Sequence, residues 1–211
     1  MSSKLVAIQT SMSYLEPVNT SHQEIEIKKS RFISYAKKVR NRKEAINYVL
    51  ELRVQYPDAR HICWGYLIGD PNNSTNSGCN DDGEPSGTAG KPILAQINYS
   101  NIGNVVVVVV RYFGGIRLGA GGLVRAYRES TQQALLALET EEFVPYENIT
   151  IELPFNEENA IRQLISKLDG EIISSDYGLM VIITALLPCS KIPKLELSLG
   201  NAAASIHKTL N

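Results

Sequence analysis

Three stretches of this sequence put charged side chains close enough together to act on a common ligand. Residues 28–43, KKSRFISYAKKVRNRK, hold eight Lys and Arg and no acid, with Phe32 and Tyr35 interleaved. Proteins hold single-stranded nucleic acid with cations that track phosphates and aromatic rings that stack on bases. Lys28, Lys29 and Arg31 are the candidates at the head of this run. The same residues also suit the solvated edge of a strand and a helix start, with Phe32 turned into a core.

The second stretch is residues 111–127, RYFGGIRLGAGGLVRAY. It follows an apolar run and opens a helical pattern, the context in which a glycine-rich turn carries meaning. Gly119, Gly121 and Gly122 would let the backbone approach a ligand, and free N–H groups at a helix start favour anions. Arg111, Arg117 and Arg125 would add bidentate phosphate contacts. The glycine spacing is not that of a phosphate-binding Walker loop, since no Gly-Lys-Ser/Thr follows. A dinucleotide fingerprint is also absent, because no βαβ unit with a ribose-binding acid comes after it. A tight strand-to-helix turn and an anion site are compatible readings.

The third stretch is residues 79–94, CNDDGEPSGTAGKPIL. Asp81, Asp82 and Glu84, with Lys91 at its end, could hold a divalent cation or serve as acid and base. Ser86 near His61 has the types of a nucleophile and base, but no Gly-x-Ser-x-Gly elbow and no third partner accompany them. The preferred reading has the acids pairing with Arg111 or Arg125 and capping the turn. His61 with Cys63 and Cys79 matches no standard metal spacing, so His61 reads as a core or rim residue. No catalytic residue, metal ligand set or cofactor is assigned.

The elements that must position these residues follow from periodicity. Residues 1–20 show no sustained period and read as an N-terminal arm. His22–Lys28 alternates as a half-buried strand, and Arg31–Val39 is the next. Asn41 can cap a helix to Gln55 whose apolar side is Ala45, Ile46, Val49, Leu50 and Leu52, with Pro57 beyond it. Ile62–Ile68 reads as a strand that buries Trp64. Asp70–Gly90 reads as a long loop, and loops of that length are more often functional than idle. Lys91–Tyr99 can form a short helix. Val105–Val110, six β-branched residues without alternation, requires a central strand covered on both faces. Arg111–Gly119 is the turn and Ala120–Leu138 a helix, with Leu123, Val124, Tyr127, Ala134, Leu135 and Leu138 on its apolar face. After an acidic Glu139–Glu142 boundary, Asn148–Leu153, Glu157–Leu168, Glu171–Ser175, Leu179–Leu187, Lys191–Leu199 and Ala203–Leu210 read in the order βαββαβ.

Bulk properties bound the function. The chain has 211 residues, 44% of them hydrophobic and 20% charged, an ordinary globular composition long enough for two domains. Residues 1–140 carry 16 Lys and Arg against 12 Asp and Glu, whereas residues 141–211 carry 5 against 10. The front suits a polyanion and the back does not. Three widely spaced cysteines are neither a disulfide framework nor a zinc pattern and fit a reducing compartment. No apolar run is long enough to span a bilayer or form a secretory leader, so the expected location is the cytoplasm.

Taken together, KKSRFI at 28–33, DDGEPSGTAGKPIL at 81–94 and VVVVVVRYFGGIRLGAGGLVRAY at 105–127 resemble the signature blocks of the YigZ/IMPACT family. The resemblance covers about residues 22–135 closely and the C-terminal segment more weakly. It implies an α+β protein with an N-terminal domain of the ribosomal protein S5 domain 2-like type over 21–140. A ferredoxin-like domain over 145–211, similar to domain V of elongation factor G, would follow. Eukaryotic members regulate translation and carry an extra N-terminal partner-binding domain, for which the residues before this core are too few. Where the family shows a Thr-His-Asn-Cys type of sequence, this chain has Arg60-His61-Ile62-Cys63. That change weakens any catalytic network around His61. The leading expectation is a non-enzymatic, translation-linked regulator or binding protein that contacts RNA or the ribosome through its basic N-terminal domain. A protein partner could meet the acidic C-terminal domain. The alternative is an enzyme acting on a phosphorylated small molecule or nucleotide through the glycine turn and the acidic loop.

Overall fold

A computed structural model describes residues 13–74 and 76–200 in full and the backbone of Ser205–Lys208. The described residues divide into two units, one spanning Tyr14–Phe143 and the other beginning at Val144. In chain order the first contains β1 (Tyr14–Pro17), β2 (Ser21–Ile27), β3 (Ser30–Lys38), α1 (Arg42–Gln55), β4 (His61–Ile68) and β5 (Asn76–Asn80). It continues with α2 (Gly90–Tyr99), β6 (Val105–Tyr112), α3 (Ala120–Leu136) and β7 (Thr140–Phe143).

The valine run behaves as its composition dictates. β6 is the middle strand of a five-stranded antiparallel sheet ordered β2-β3-β6-β4-β5. Val105, Val107 and Val109 pack with Phe32, Ile93, Ile97, Leu123 and Tyr127 under α2 and α3. Val106, Val108 and Val110 pack with Ile33, Ile62, Tyr66 and the Val49 and Leu52 side chains of α1. All six valines are fully buried, and each such burial contributes about 1.5–3 kcal/mol. One strand therefore belongs to two cores, and this sets the position of the turn that follows it.

Asn41 caps α1 as expected, its side chain accepting from the Glu44 N–H at 3.0 Å, while Glu44 accepts from the Arg40 N–H at 2.7 Å. The buried side of α1 is Ala45, Tyr48, Val49 and Leu52, and Leu50 is exposed. Residue 50 is one position past Val49, about 100° around the helix and off the buried stripe. Trp64 is half-buried rather than core, stacked on Tyr66 with ring centroids 5.9 Å apart.

Two sequence readings are corrected. Part of the loop at 70–90 is β5, which pairs with β4 although Asn-Ser-Gly-Cys-Asn carries no strand-forming pattern. Its backbone is ordered by its neighbour, not by its own side chains. The arm read at 1–20 contains β1, paired with β7 from Tyr14↔Phe143 to Pro17↔Thr140. Residues 1–12 lie outside the described residues. Glu16 anchors β1: it is 1% exposed, meets the Lys38 ammonium at 2.6 Å and accepts a short hydrogen bond from Asn104. A single buried charge, invisible to periodicity, turns part of an arm into a strand.

The second unit contains β8 (Tyr146–Leu153), α4 (Glu158–Lys167), β9 (Glu171–Tyr177), β10 (Val181–Pro188), α5 (Ile192–Leu199) and β11 (Ser205–Lys208). Its antiparallel sheet is ordered β11-β8-β10-β9. Ile149, Ile151, Val181 and Ile183 face Ile161, Ile165 and Leu195 of the helices. Of the strand read at Ala203–Leu210, residues 203, 204, 209 and 210 lie outside the described residues. The protein is thus an α+β chain of two units, with a core on each face of the first unit's sheet and a third core in the second unit.

Replacing Asn41 by Ala removes the cap of α1 and should lower the stability of the N-terminal unit by about 1 kcal/mol. Urea unfolding followed by fluorescence of Trp64, the single tryptophan, measures it. An unchanged midpoint would show that Glu44 alone holds the helix start.

Candidate functional site

The three charged stretches meet at one end of the five-stranded sheet. β2 and β3 are joined by Lys28-Lys29, with φ of 48° and 64°. Both residues of this two-residue hairpin turn are left-handed, a conformation for which Asn-Gly is the preferred pair. Two exposed lysines occupy it instead. The turn after β6 is fitted against this hairpin. A Cβ on Gly114 would lie 1.9 Å from the Lys29 carbonyl carbon, and the Gly114 N–H donates to the Ser30 hydroxyl at 3.2 Å. Gly114 is therefore glycine because backbone passes over backbone. At the far end of the turn Gly119 has φ 73° and begins α3. The first turn of α3 has neither a capping side chain nor an acid, so its N–H groups stay available to an anion.

Two clefts open beside this turn. The larger, about 350 Å³, is lined by Arg60 and His61 from the start of β4, Glu84 and Pro85 from the acidic loop, Arg111 and Phe113, and Arg117–Ala120 with Leu123. The smaller, about 250 Å³, lies between the lysine hairpin and α3 and is lined by Ile27, Lys28, Leu118, Gly122, Arg125, Ala126 and Glu129. Leu118 belongs to both. Arg60, Arg117, Arg125, Lys28 and Lys29 are exposed, and among the described residues none has a carboxylate within 4 Å. Arg31 is also exposed but is held by Glu24 at 2.7 Å.

The acidic loop is an internal clamp. Asp81 accepts from the backbone N–H groups of Gly87 at 2.8 Å, Ala89 at 3.0 Å and Gly90 at 2.8 Å, closing the start of α2. Burial alone would raise its carboxyl, but these donors and Lys91 outweigh it and hold Asp81 below the usual carboxylate range. Asp82 accepts from the Ile62 N–H at 2.7 Å and from Arg53 at 2.6 Å. Glu84 accepts on one oxygen from Arg111 at 2.6 Å and from the Tyr127 hydroxyl at 2.8 Å. Lys91 is exposed on α2, close to Gly87. The three carboxylates thus face three different sets of partners, and no group of acids, histidines and cysteines among the described residues is arranged to hold a metal.

Arg111 departs from its reading as a phosphate ligand and follows the other one, pairing with an acid of the 79–94 loop. It does not point outward to a phosphate: it is 6% exposed and lies between the rings of Phe32 and Phe113, 5.5 Å and 5.8 Å from their centroids. Its position within β6, opposite His61 on one side and Phe32 on the other, puts it in the core layer before the turn begins. Phe32 is fully buried and cannot stack on a base. Tyr35 is half-buried, stacked on His22 and hydrogen-bonded to Tyr56. The basic-aromatic pairing of residues 28–43 is therefore broken up by strand alternation.

His61 is fixed by its Nδ1, 3.0 Å from the Asp82 carbonyl, and lines the larger cleft. Cys63 is fully buried, its Sγ contacting the Asp81 carbonyl at 3.0 Å and the Tyr127 hydroxyl at 3.3 Å. Burial pushes its thiol far above the usual range, which leaves it inert as a nucleophile. Ser86 is exposed on the acidic loop. Sequence reasoning did not single out Arg60, Phe113 or Leu118. Arg60 belongs to no local pattern, but an aromatic placed directly before two glycines in an exposed turn was a usable signal for Phe113.

The fold and this end of the sheet define a two-unit α+β protein with an unpaired cationic rim around a partly apolar cleft. The Impact N-terminal domain matches residues 28–135, which contain every candidate residue above. The chain is 42% identical to the IMPACT family member YigZ of Escherichia coli (strain K12) over 83% of this chain and 86% of that protein. An IMPACT family member of Haemophilus influenzae is also 42% identical, over 78% of this chain and 80% of its own length. The crystal structure of a hypothetical protein, 37% identical, superimposes with a TM-score of 0.65 over 94% of this chain and 98% of that one. The chain belongs to the IMPACT family.

Glu84→Gln leaves the buried Arg111 charge without its counter-ion and should cost about 3 kcal/mol, whereas Tyr127→Phe should cost about 1 kcal/mol. Chemical denaturation of both variants checks the ranking, and an equal loss would remove the ion pair from its central place. Because folding lowers the Asp81 carboxyl, its contribution is complete above the unfolded value near pH 4. It disappears as pH falls through the lower folded value. Wild type should therefore lose stability on acidification below about pH 4 more steeply than Asp81→Asn does.

Proposed function

We propose that this chain is a non-enzymatic, translation-linked binding protein whose N-terminal unit contacts RNA, on the ribosome, through the rim formed by Lys28, Lys29, Arg60, Arg117 and Arg125. The observation that carries this reading is the lysine hairpin. Two non-glycine residues held left-handed cost of order 1 kcal/mol each or more. That cost is borne at an exposed tip where neither ammonium has a carboxylate within 4 Å among the described residues, and where Lys28 shares a cleft with Arg125 and Glu129. The two-residue hairpin connection itself demands that conformation, and placing two lysines there in place of the favoured Asn-Gly commits the tip to exposed charge. The open first turn of α3 adds donors that suit phosphate. The translation role is the one the family resemblance implies, and the antiparallel strand orders of the two sheets support an S5 domain 2-like first unit and a ferredoxin-like second one.

The acidic loop lends no support to an enzyme acting on a phosphorylated small molecule, because Asp81, Asp82 and Glu84 already have protein partners. A protein contact through the acidic C-terminal unit has one observation in its favour. At the β9–β10 turn Leu179 is 99% exposed, and Tyr177 beside it is 61% exposed.

Co-sedimentation with ribosomes and with total RNA at increasing salt tests the main reading. Five phosphate contacts from Lys28, Lys29, Arg60, Arg117 and Arg125 predict a log–log slope of about −3.5, at about −0.7 per phosphate. The Arg117→Glu/Arg125→Glu variant should flatten it by about 1.4 and weaken binding at low salt. Failure of the wild-type chain to sediment with either partner at low salt sinks the proposal.

A further inference from the structure

Phosphate contact alone does not account for the larger cleft. Its lining combines apolar Pro85, Phe113, Leu118 and Leu123 with the unpaired guanidinium groups of Arg60 and of Arg117, which comes just before α3. A site for bare phosphate would be polar throughout, and a site for an apolar ligand would not collect unpaired guanidinium groups. A ligand that is planar and apolar at one end and anionic at the other satisfies both. Phe113 is 56% exposed, with the Arg111 guanidinium 5.8 Å from its ring centroid. The ring is thus held in place while keeping area free for stacking. The floor is a buried guanidinium held by Glu84 and Ser30. Arg111 lines the cleft, is 6% exposed, and its Nε has no hydrogen-bond partner, a state native folds seldom leave unexplained. Glu84, the acid in the cleft, is neutralised by Arg111 and does not repel an anion held there. At about 350 Å³ the cleft lies near the lower end of ligand pockets, room for one nucleotide and not two.

We infer that the cleft is a pocket for a single 5′-phosphorylated nucleoside, its base against Phe113 and its phosphate between Arg117, Arg60 and the first turn of α3. This chemistry is shared by a free nucleotide and by the phosphorylated end of an RNA strand. The inference deepens the RNA-contact reading and rests on it for the second source.

The test is isothermal titration of the full chain with the four ribonucleoside 5′-monophosphates, the matching nucleosides and inorganic phosphate. At least one monophosphate should bind ten or more times as tightly as its nucleoside and as phosphate. Phe113→Ala should weaken it about tenfold, with Phe113→Tyr retaining it, as expected for base stacking. Arg117→Gln should weaken the monophosphate and leave the nucleoside unchanged. Equal affinity for monophosphate and inorganic phosphate, no monophosphate binding at millimolar concentration, or an unaffected Phe113→Ala variant each overturns the pocket. Oligonucleotides of one sequence with 5′-phosphate or 5′-hydroxyl ends separate the sources. Preference for the phosphorylated end assigns the strand, and equal binding with monophosphate affinity intact assigns the free nucleotide. If the pocket fails while ribosome sedimentation persists, the RNA reading stands alone. Monophosphate binding without sedimentation removes that reading and keeps the nucleotide.

Discussion

The pairing of Glu84 with Arg111 ties together segments that the chain places 27 residues apart, and Tyr127, 43 residues beyond Glu84, joins the same carboxylate oxygen. All three side chains are buried, so none can exchange its partner for water. A charge in such surroundings is tolerable only with its counter-ion in place. The pair therefore sets where the acidic loop lies against β6 and where α3 starts. Both walls of the larger cleft follow from it. The same pair also removes one arginine and one glutamate from the list of groups that could meet a ligand.

Around this fixed point the remaining charges are sorted by geometry. Asp81 and Asp82 are consumed by backbone N–H groups and by Arg53, which leaves the nearby Arg60, Arg117 and Arg125 without acids. The close passage of Gly114 over Lys29 brings the hairpin and the glycine turn together, so cations 80–100 residues apart in sequence share one rim. The loop acids Asp81, Asp82 and Glu84 are held as clamps, whereas Lys28, Lys29, Arg60, Arg117 and Arg125 are exposed. The net charge of the chain, −1, conceals this separation.

Much of the fold was legible because its signals are local. Six consecutive valines admit only a strand covered on both sides, Asn41 followed by Glu44 is a helix start, and alternation or helical spacing located the elements of the second unit. β5 and β1 were not legible, since their order comes from β4, from β7 and from the buried Glu16–Lys38 contact rather than from their own residues. At the candidate site, the exposed Lys28, Lys29, Arg117 and Arg125 lie where glycine and charge patterns placed them. Arg111 does not, because its type is the same as theirs while its position one step inside the strand end puts it in the core.

By itself, then, the sequence determined most of the strands and helices, β1, β5 and β7 excepted, which family the chain resembles, and that its front is cationic. These depend on neighbours within a few residues or on blocks of identity. Only the tertiary structure decided which charges are free. Freedom of a charge depends on whether an opposite charge is brought within about 4 Å by the packing of distant elements. Arg111 and Arg117 are six positions apart in one motif, yet one is sealed against Glu84 and the other stands open to solvent.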